Sequence, residues 1–198
     1  MLKVGIVGTG GISQSHLTGW AAVPEAKLAA ACDIRAEQVD PVGEKYGCRV
    51  YYDLDEMLKG EELDVLDICL PTYLHADAAV KAIGRGINVL TEKPVSLRRA
   101  DVRRVYGAAR EKGVRVATIG YYCNPIENTE QRKTLESVID AAPLFGAPMV
   151  STFAGAYEGE PVEKAIPKFG EVFRELGKRA ADNGLKIAIE NCPMDGTW

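Results

Sequence analysis

Short apolar runs alternate with longer amphipathic stretches along the whole chain, the pattern of a parallel sheet covered by helices. The apolar runs predict strands at about 2–7 ("LKVGIV"), 27–32 ("KLAAAC"), 65–70 ("VLDICL"), 87–91 ("INVLT"), 114–119 ("VRVATI"), 148–152 and 185–190 ("LKIAIE"). A shorter strand is expected at "CRVYY". The amphipathic stretches predict helices near 12–22, 36–46, 73–85, 98–112, 128–142 and 161–183. The run "YYDLDEMLKGEE" reads as a short helix capped by Asp53, whose carboxylate can accept from the unpaired amides of the first turn. Only "YYCNPIEN" and "FAGAYEGEPVEKAIP" are irregular, and each follows a strand at the end where α/β sheets place ligands.

Composition narrows the class. No apolar run approaches the roughly 20 residues of a membrane span, and the start "MLKVGIVGTGG" has no cleavable-signal pattern. A cytoplasmic protein is expected. Lys and Arg total 24 against 28 Asp and Glu, a formal charge of −4, which supplies no basic footprint for nucleic acid. The five cysteines include no C-x-x-C pair, and three of them (Cys32, Cys69 and Cys192) lie in or at the ends of apolar runs, where a free thiol behaves as a small hydrophobe. That favours a reducing compartment. With only His16 and His75 in the chain, a histidine-rich metal site is excluded; His16, on the first helix, is expected to face solvent.

"VGIVGTGGISQSHL" is the first candidate for chemistry. Gly8 and Gly10, with Thr9, Gly11 and Ile12, fall between an apolar strand and an amphipathic helix. The first glycine permits a tight turn, the second lets backbone approach a pyrophosphate, and the helix start offers unpaired N–H groups to phosphates. Ser13 takes the place of the third glycine and is small enough to keep helix and strand close. Asp33 closes the second strand 20 residues after Ser13, the position of a carboxylate that accepts from ribose hydroxyls. The same turn also occurs as a plain strand–helix connection, and Asp33 could cap the helix at "DIRAEQ". A carboxylate repels a 2′-phosphate, so Asp33 favours NAD; Arg35 could pair with that phosphate, and NADP stays open.

"LDICLPTYLHADAAVKAIGRGINVLTEKPVSL" ends one buried strand at Pro71 and Thr72, begins a helix at His75, and places Glu92 and Lys93 at the end of another strand. Both ends are expected near the glycine turn. The glycine turn, Asp33, "PTYLHAD" and "TEKP" together resemble the Gfo/Idh/MocA oxidoreductases over about residues 1–119. The resemblance implies a parallel doubly wound (Rossmann) α/β domain with Pro71, Thr72, His75, Glu92 and Lys93 beside the cofactor. It also implies that Lys93 positions a substrate hydroxyl and helps its proton leave. Proton transfer of this kind is what hydride chemistry at an alcohol carbon requires.

After residue 119 the chain has no histidine, so the further catalytic His of that family's substrate domain has no counterpart. Residues 120–198 resemble instead a β-α-β-α-β segment of a xylose-isomerase-like sugar phosphate isomerase/epimerase, part of a TIM barrel. By that resemblance Glu190 of "IENCP" is a divalent-metal ligand. A divalent site needs several ligands, and one carboxylate does not hold Mg²⁺ or Mn²⁺ tightly. The expected organisation is therefore a nucleotide-binding domain, 1–119, fused to a partial barrel, 120–198, in a truncated or chimeric chain. The strands at 148–152 and 185–190 would extend the first sheet or form a packed appendage, the alternative being an open three-strand piece with exposed edges, and self-association is expected. Three functions follow: an NAD(P)-dependent oxidoreductase acting on a sugar or polyol, a metal-dependent sugar isomerase or epimerase, and a nucleotide-binding module without catalysis.

Overall fold

β-branched and small apolar residues in the first half form five parallel strands: β1 (Leu2–Val7), β2 (Ala26–Cys32), β3 (Arg49–Tyr51), β4 (Val65–Ile68) and β5 (Asn88–Thr91), in the order β3-β2-β1-β4-β5. This computed structural model describes residues 1–190. The chain divides into two compact units, Met1–Val114 and a second that begins at Arg115.

In the first unit the strands alternate with α1 (Ser13–Ala21), α2 (Ala36–Tyr46), α3 (Leu54–Gly60), α4 (Thr72–Gly84) and α5 (Arg99–Glu111). Successive side chains of a strand point to opposite faces, and both faces are apolar here. Val4 and Ile6 pack with Leu17 and Val39, whereas Val7, Leu66 and Ile68 pack with Met57, Ala79 and Ile83. A fully buried Leu or Ile such as Leu66 contributes ~1.5–3 kcal/mol. Asp53 caps α3 as expected, its Oδ1 accepting from the Glu56 amide at 2.9 Å, a cap worth ~1 kcal/mol. Because β1 lies between β2 and β4, the chain reverses direction across the sheet there, and the C-terminal ends of β1 and β4 border the crevice that such sheets offer a ligand.

The expected strand over 114–119 does not form. Only Ile119–Gly120 is extended and paired, as β6, and its partner is Val150–Ser151 of β7 (Met149–Phe153). The apolar side chains of the stretch are divided between two cores: Val114 packs in the first, Val116 and Ile119 in the second. The second unit has its own sheet, β6-β7-β8, completed by β8 (Lys186–Glu190) and covered by α6 (Thr129–Ala141) and α7 (Ile166–Asp182). The strands do not extend the first sheet; they form the separate three-strand parallel piece that was the alternative. Leu135, Ile139, Val150, Val172 and Leu176 supply it with a core, so its strands pair among themselves. The last long helix starts later than its amphipathic pattern predicts. Pro161 precedes a 3-10 turn at Val162–Lys164, and Pro167 occupies the first turn of α7, where a missing N–H costs nothing.

Candidate functional site

Four strand ends meet above the first sheet. The Gly8 amide donates to Cys32 O at 2.8 Å, the Cys69 amide to Val7 O at 2.8 Å, and the Glu92 amide to Ile68 O at 3.0 Å. Gly8 sits at φ +86°, and a Cβ there would lie 2.6 Å from the Cys69 carbonyl oxygen. Only glycine lets β1 pass this close to β4. Gly10 and Gly11, by contrast, have no heavy atom within 4 Å of an ideal Cβ, so the space above them is open. They line a cavity of about 780 Å³, within the range of small-molecule and cofactor sites. Ile12, the residue before α1, lines the same cavity, and Ser13, fully buried in the place of a third glycine, donates its hydroxyl to Gly10 O at 2.6 Å.

The cavity brings together Gly8, Gly10, Gly11, Ile12, Asp33, Arg35 and Pro71 of the predicted site. Asp33 is almost fully buried and holds the turn in place: Oδ2 accepts from the Thr9 amide at 2.9 Å, and Oδ1 from the Arg35 amide at 3.0 Å. Burial opposes its charge, but these bonds and the Arg35 guanidinium hold the carboxyl below its ordinary value. Thr9 is buried and serves the turn rather than the cavity wall. Buried Cys32, on the same wall, has its thiol pushed up to about 12, first by burial and then by Asp53 and Asp33, which makes it inert as a nucleophile.

Thr72, His75, Glu92 and Lys93 do not line the cavity. Thr72 is the first residue of α4. His75 is buried, with Nδ1 2.9 Å from Pro94 O and Nε2 2.6 Å from Leu70 O, so it straps the turn after β5 to the end of β4. Lys93 is exposed, follows β5, and joins Pro94 through a cis peptide. Glu92 is half-buried, and its Oε2 accepts from the Lys93 amide at 3.1 Å.

His16 does not face solvent as expected. Its Nδ1 lies 2.9 and 3.1 Å from the two oxygens of Asp67, and its Nε2 lies 3.0 Å from Glu92 Oε1. Burial works against the charged ring, yet the bonds and charges of Asp67 and then Glu92 outweigh it and raise His16 above 6.5. Asp67 is fully buried inside β4 and also accepts from Trp20 Nε1 at 2.7 Å. Burial opposes the Glu92 charge too, but His16 and the Lys93 amide hold that carboxyl below its ordinary value. Sequence reading missed Asp67, although an acid inside the apolar run "LDICL" is itself a signal of a buried partner. The donor atoms of His16, Asp67 and Cys69 lie within 4.8 Å of one another. Burial first and the Asp67 charge next push the Cys69 thiol upward, keeping it protonated, so the group is a hydrogen-bonded cluster.

In the second unit Glu190 ends β8 and is exposed. Among the described residues Glu190 belongs to no group of three or more His, Cys, Asp or Glu side chains at metal-holding distance, and Asn191, Cys192 and Pro193 of "IENCP" lie outside the described residues. No helix among the described residues is long and apolar enough to cross a membrane.

Residues 2–121 match the oxidoreductase family with an NAD-binding Rossmann fold (Gfo/Idh/MocA), and residues 77–198 match the xylose isomerase-like TIM barrel. The overlap, 77–121, carries most of α4 with β5 and α5, a β/α repeat common to both architectures. The chain is similar to inositol 2-dehydrogenase of Salmonella typhimurium, 32% identical over 152 residues, covering 75% of this chain and 44% of that one. It is likewise 32% identical over 113 residues to D-apiose dehydrogenase of Paraburkholderia graminis, covering 57% of this chain and 30% of that one. Among solved structures, the WlbA dehydrogenase of Bordetella pertussis in complex with NADH and UDP-GlcNAcA superposes with a TM-score of 0.57 at 28% identity, covering 76% of this chain and 46% of that one. The chain spans less than half the length of these relatives. It belongs to the Gfo/Idh/MocA oxidoreductase family, with that family's NAD-binding Rossmann fold over residues 2–121, and to the xylose isomerase-like TIM-barrel family over residues 77–198.

Proposed function

We propose that residues 1–119 bind a nicotinamide dinucleotide and serve an oxidoreductase acting on a sugar or polyol. The observation that carries this reading is the open glycine cradle at Gly10 and Gly11, set at the start of α1 on a cavity that Asp33 also lines. The cradle admits a pyrophosphate where any side chain would fill the space, and α1 starts directly after it, with the positive end of its dipole on that side. Asp33 turns the selectivity toward NAD, with its neighbour Arg35 half-exposed beside it. When bound, the cofactor supplies the hydride acceptor or donor. Lys93, exposed beyond β5, positions the substrate hydroxyl and helps its proton leave in the oxidising direction. The dehydrogenases of inositol and D-apiose among the relatives support a polyhydroxy substrate.

The match of residues 77–198 to a barrel family supports reading the chain as a fusion whose second part is not the oxidoreductase substrate domain. In that part β6 and β8 each pair only with β7 among the described residues, which leaves edges for self-association. A sharp monomer at all concentrations in sedimentation would contradict the association. The test of function is binding of NADH and NADPH, followed by reduction of NAD⁺ with a polyol panel that includes inositol and D-apiose. Turnover that survives Lys93→Met would remove the assignment of Lys93.

A further inference from the structure

We propose that His16 is a positioning residue: clamped between buried Asp67 and Glu92, it holds the Glu92–Lys93 turn in place and releases it when the ring loses a proton. The proposal rests on the oxidoreductase reading only for the consequence at Lys93. The clamp itself stands on geometry.

Three elements converge on the ring. α1 presents His16 and Trp20, β4 presents Asp67, and Glu92 follows directly on β5. Both ring nitrogens face carboxylate oxygens, so the doubly protonated ring satisfies both acids at once. Glu92 then has one oxygen on the ring and the other on the Lys93 amide, which fixes the backbone that carries Lys93. A neutral ring keeps a single N–H and can serve one acid only. Asp67 is the costlier to abandon, since it is fully buried, whereas Glu92 keeps contact with water. The proton therefore leaves Nε2, and Glu92 faces a lone pair and swings away. The titratable and charged groups facing the ring are Asp67, Cys69 behind it on the β4 side, Glu92, and Lys93 beside Glu92. The two acids favour the charged ring, in line with the upward displacement of its titration.

The chain contains only two histidines, so imidazole NMR of the full-length protein resolves the question with one variant for assignment. In the wild type, the His16 resonance is expected to titrate above 6.5. The Lys93 backbone amide should move with the same midpoint. In Glu92→Gln, the His16 midpoint should fall by ~0.5 pH unit or more, and the Lys93 amide should stop reporting it. Trp20→Phe, which leaves both acids in place, should keep the Lys93 response. A His16 midpoint unchanged by Glu92→Gln would overturn the clamp, as would a Lys93 amide indifferent to it in the wild type. Failure of NADH to bind would instead remove the oxidoreductase reading and leave the clamp standing. If the chain turns over, kcat should fall above the His16 midpoint while the KM for the cofactor stays level, a split that a merely structural histidine would not produce.

Discussion

Two glycines two residues apart should fail in opposite ways when each is given a methyl group. At Gly8 the backbone stands at φ +86°, and the new Cβ would lie 2.6 Å from Cys69 O, 2.7 Å from Cys69 C and 2.9 Å from the Leu70 amide nitrogen. All three are backbone atoms of the neighbouring strand end, so no side chain can move aside. The positive φ alone costs a non-glycine residue ~1–3 kcal/mol. Separating β1 from β4 to relieve the contact adds to it. With ~4–8 °C of melting temperature per kcal/mol for a domain of this size, Gly8→Ala should melt ~10 °C or more below wild type. At Gly10 nothing lies within 4 Å and φ is outside the left-handed region, so Gly10→Ala should melt within ~2 °C of wild type. Its methyl group, however, occupies the place where a pyrophosphate must approach the backbone. NADH affinity should fall at least ~10-fold, about 1.4 kcal/mol. Thermal melts and NADH fluorescence titrations on both variants make the comparison. A Gly10→Ala protein that binds NADH as tightly as wild type would refute the cradle.

Asp33→Asn keeps an acceptor for the Thr9 amide while removing the charge, so the preference for NADH over NADPH should shrink, measured as a ratio of dissociation constants; an unchanged ratio would remove Asp33 from cofactor selection. Leu135→Ala, at a fully buried position of the second core, should cost ~2–5 kcal/mol in urea unfolding, and a loss below ~1 kcal/mol would contradict that core. The His16–Glu92 pair should make the first unit's stability depend on pH. His16 is raised above 6.5 when folded, so its contribution is complete below 6.5 and is lost as pH rises through the folded value. Glu92 is lowered from 4.5, so its contribution is complete above 4.5 and is lost as pH falls through the folded value. The pair therefore favours mildly acidic pH, and in Glu92→Gln the decline on the alkaline side should weaken in urea midpoints taken across the range.

The fold of the first unit was legible because both of its periods are strong. Strands such as "LKVGIV" are buried on both faces from Val4 to Val7, and helix 36–46 ends on Gly47, whose left-handed backbone stops it. Asp53 announced a helix start through a side chain that accepts from an amide three residues on; Asn128 does the same for α6 and was not read as a cap. The stretch 114–119 misled because β-branched alternation states that residues can be extended, not which edge will receive them. Val114 and Val116 found different cores, and only Ile119–Gly120 found a ladder. The glycine turn was legible as local chemistry, requiring no knowledge of distant partners. The ring between Asp67 and Glu92 was not, because its partners lie 51 and 76 residues away in sequence and meet only once the parallel sheet is assembled. A buried acid in an apolar run was the trace it left.

The central claim is that the first unit holds a nicotinamide dinucleotide over the Gly8–Ile12 turn. Titration of the whole chain with NADH and with NADPH, followed by cofactor fluorescence, tests it most directly. NADH is expected to bind saturably and more tightly than NADPH. No saturable binding of either dinucleotide to the folded protein would contradict it.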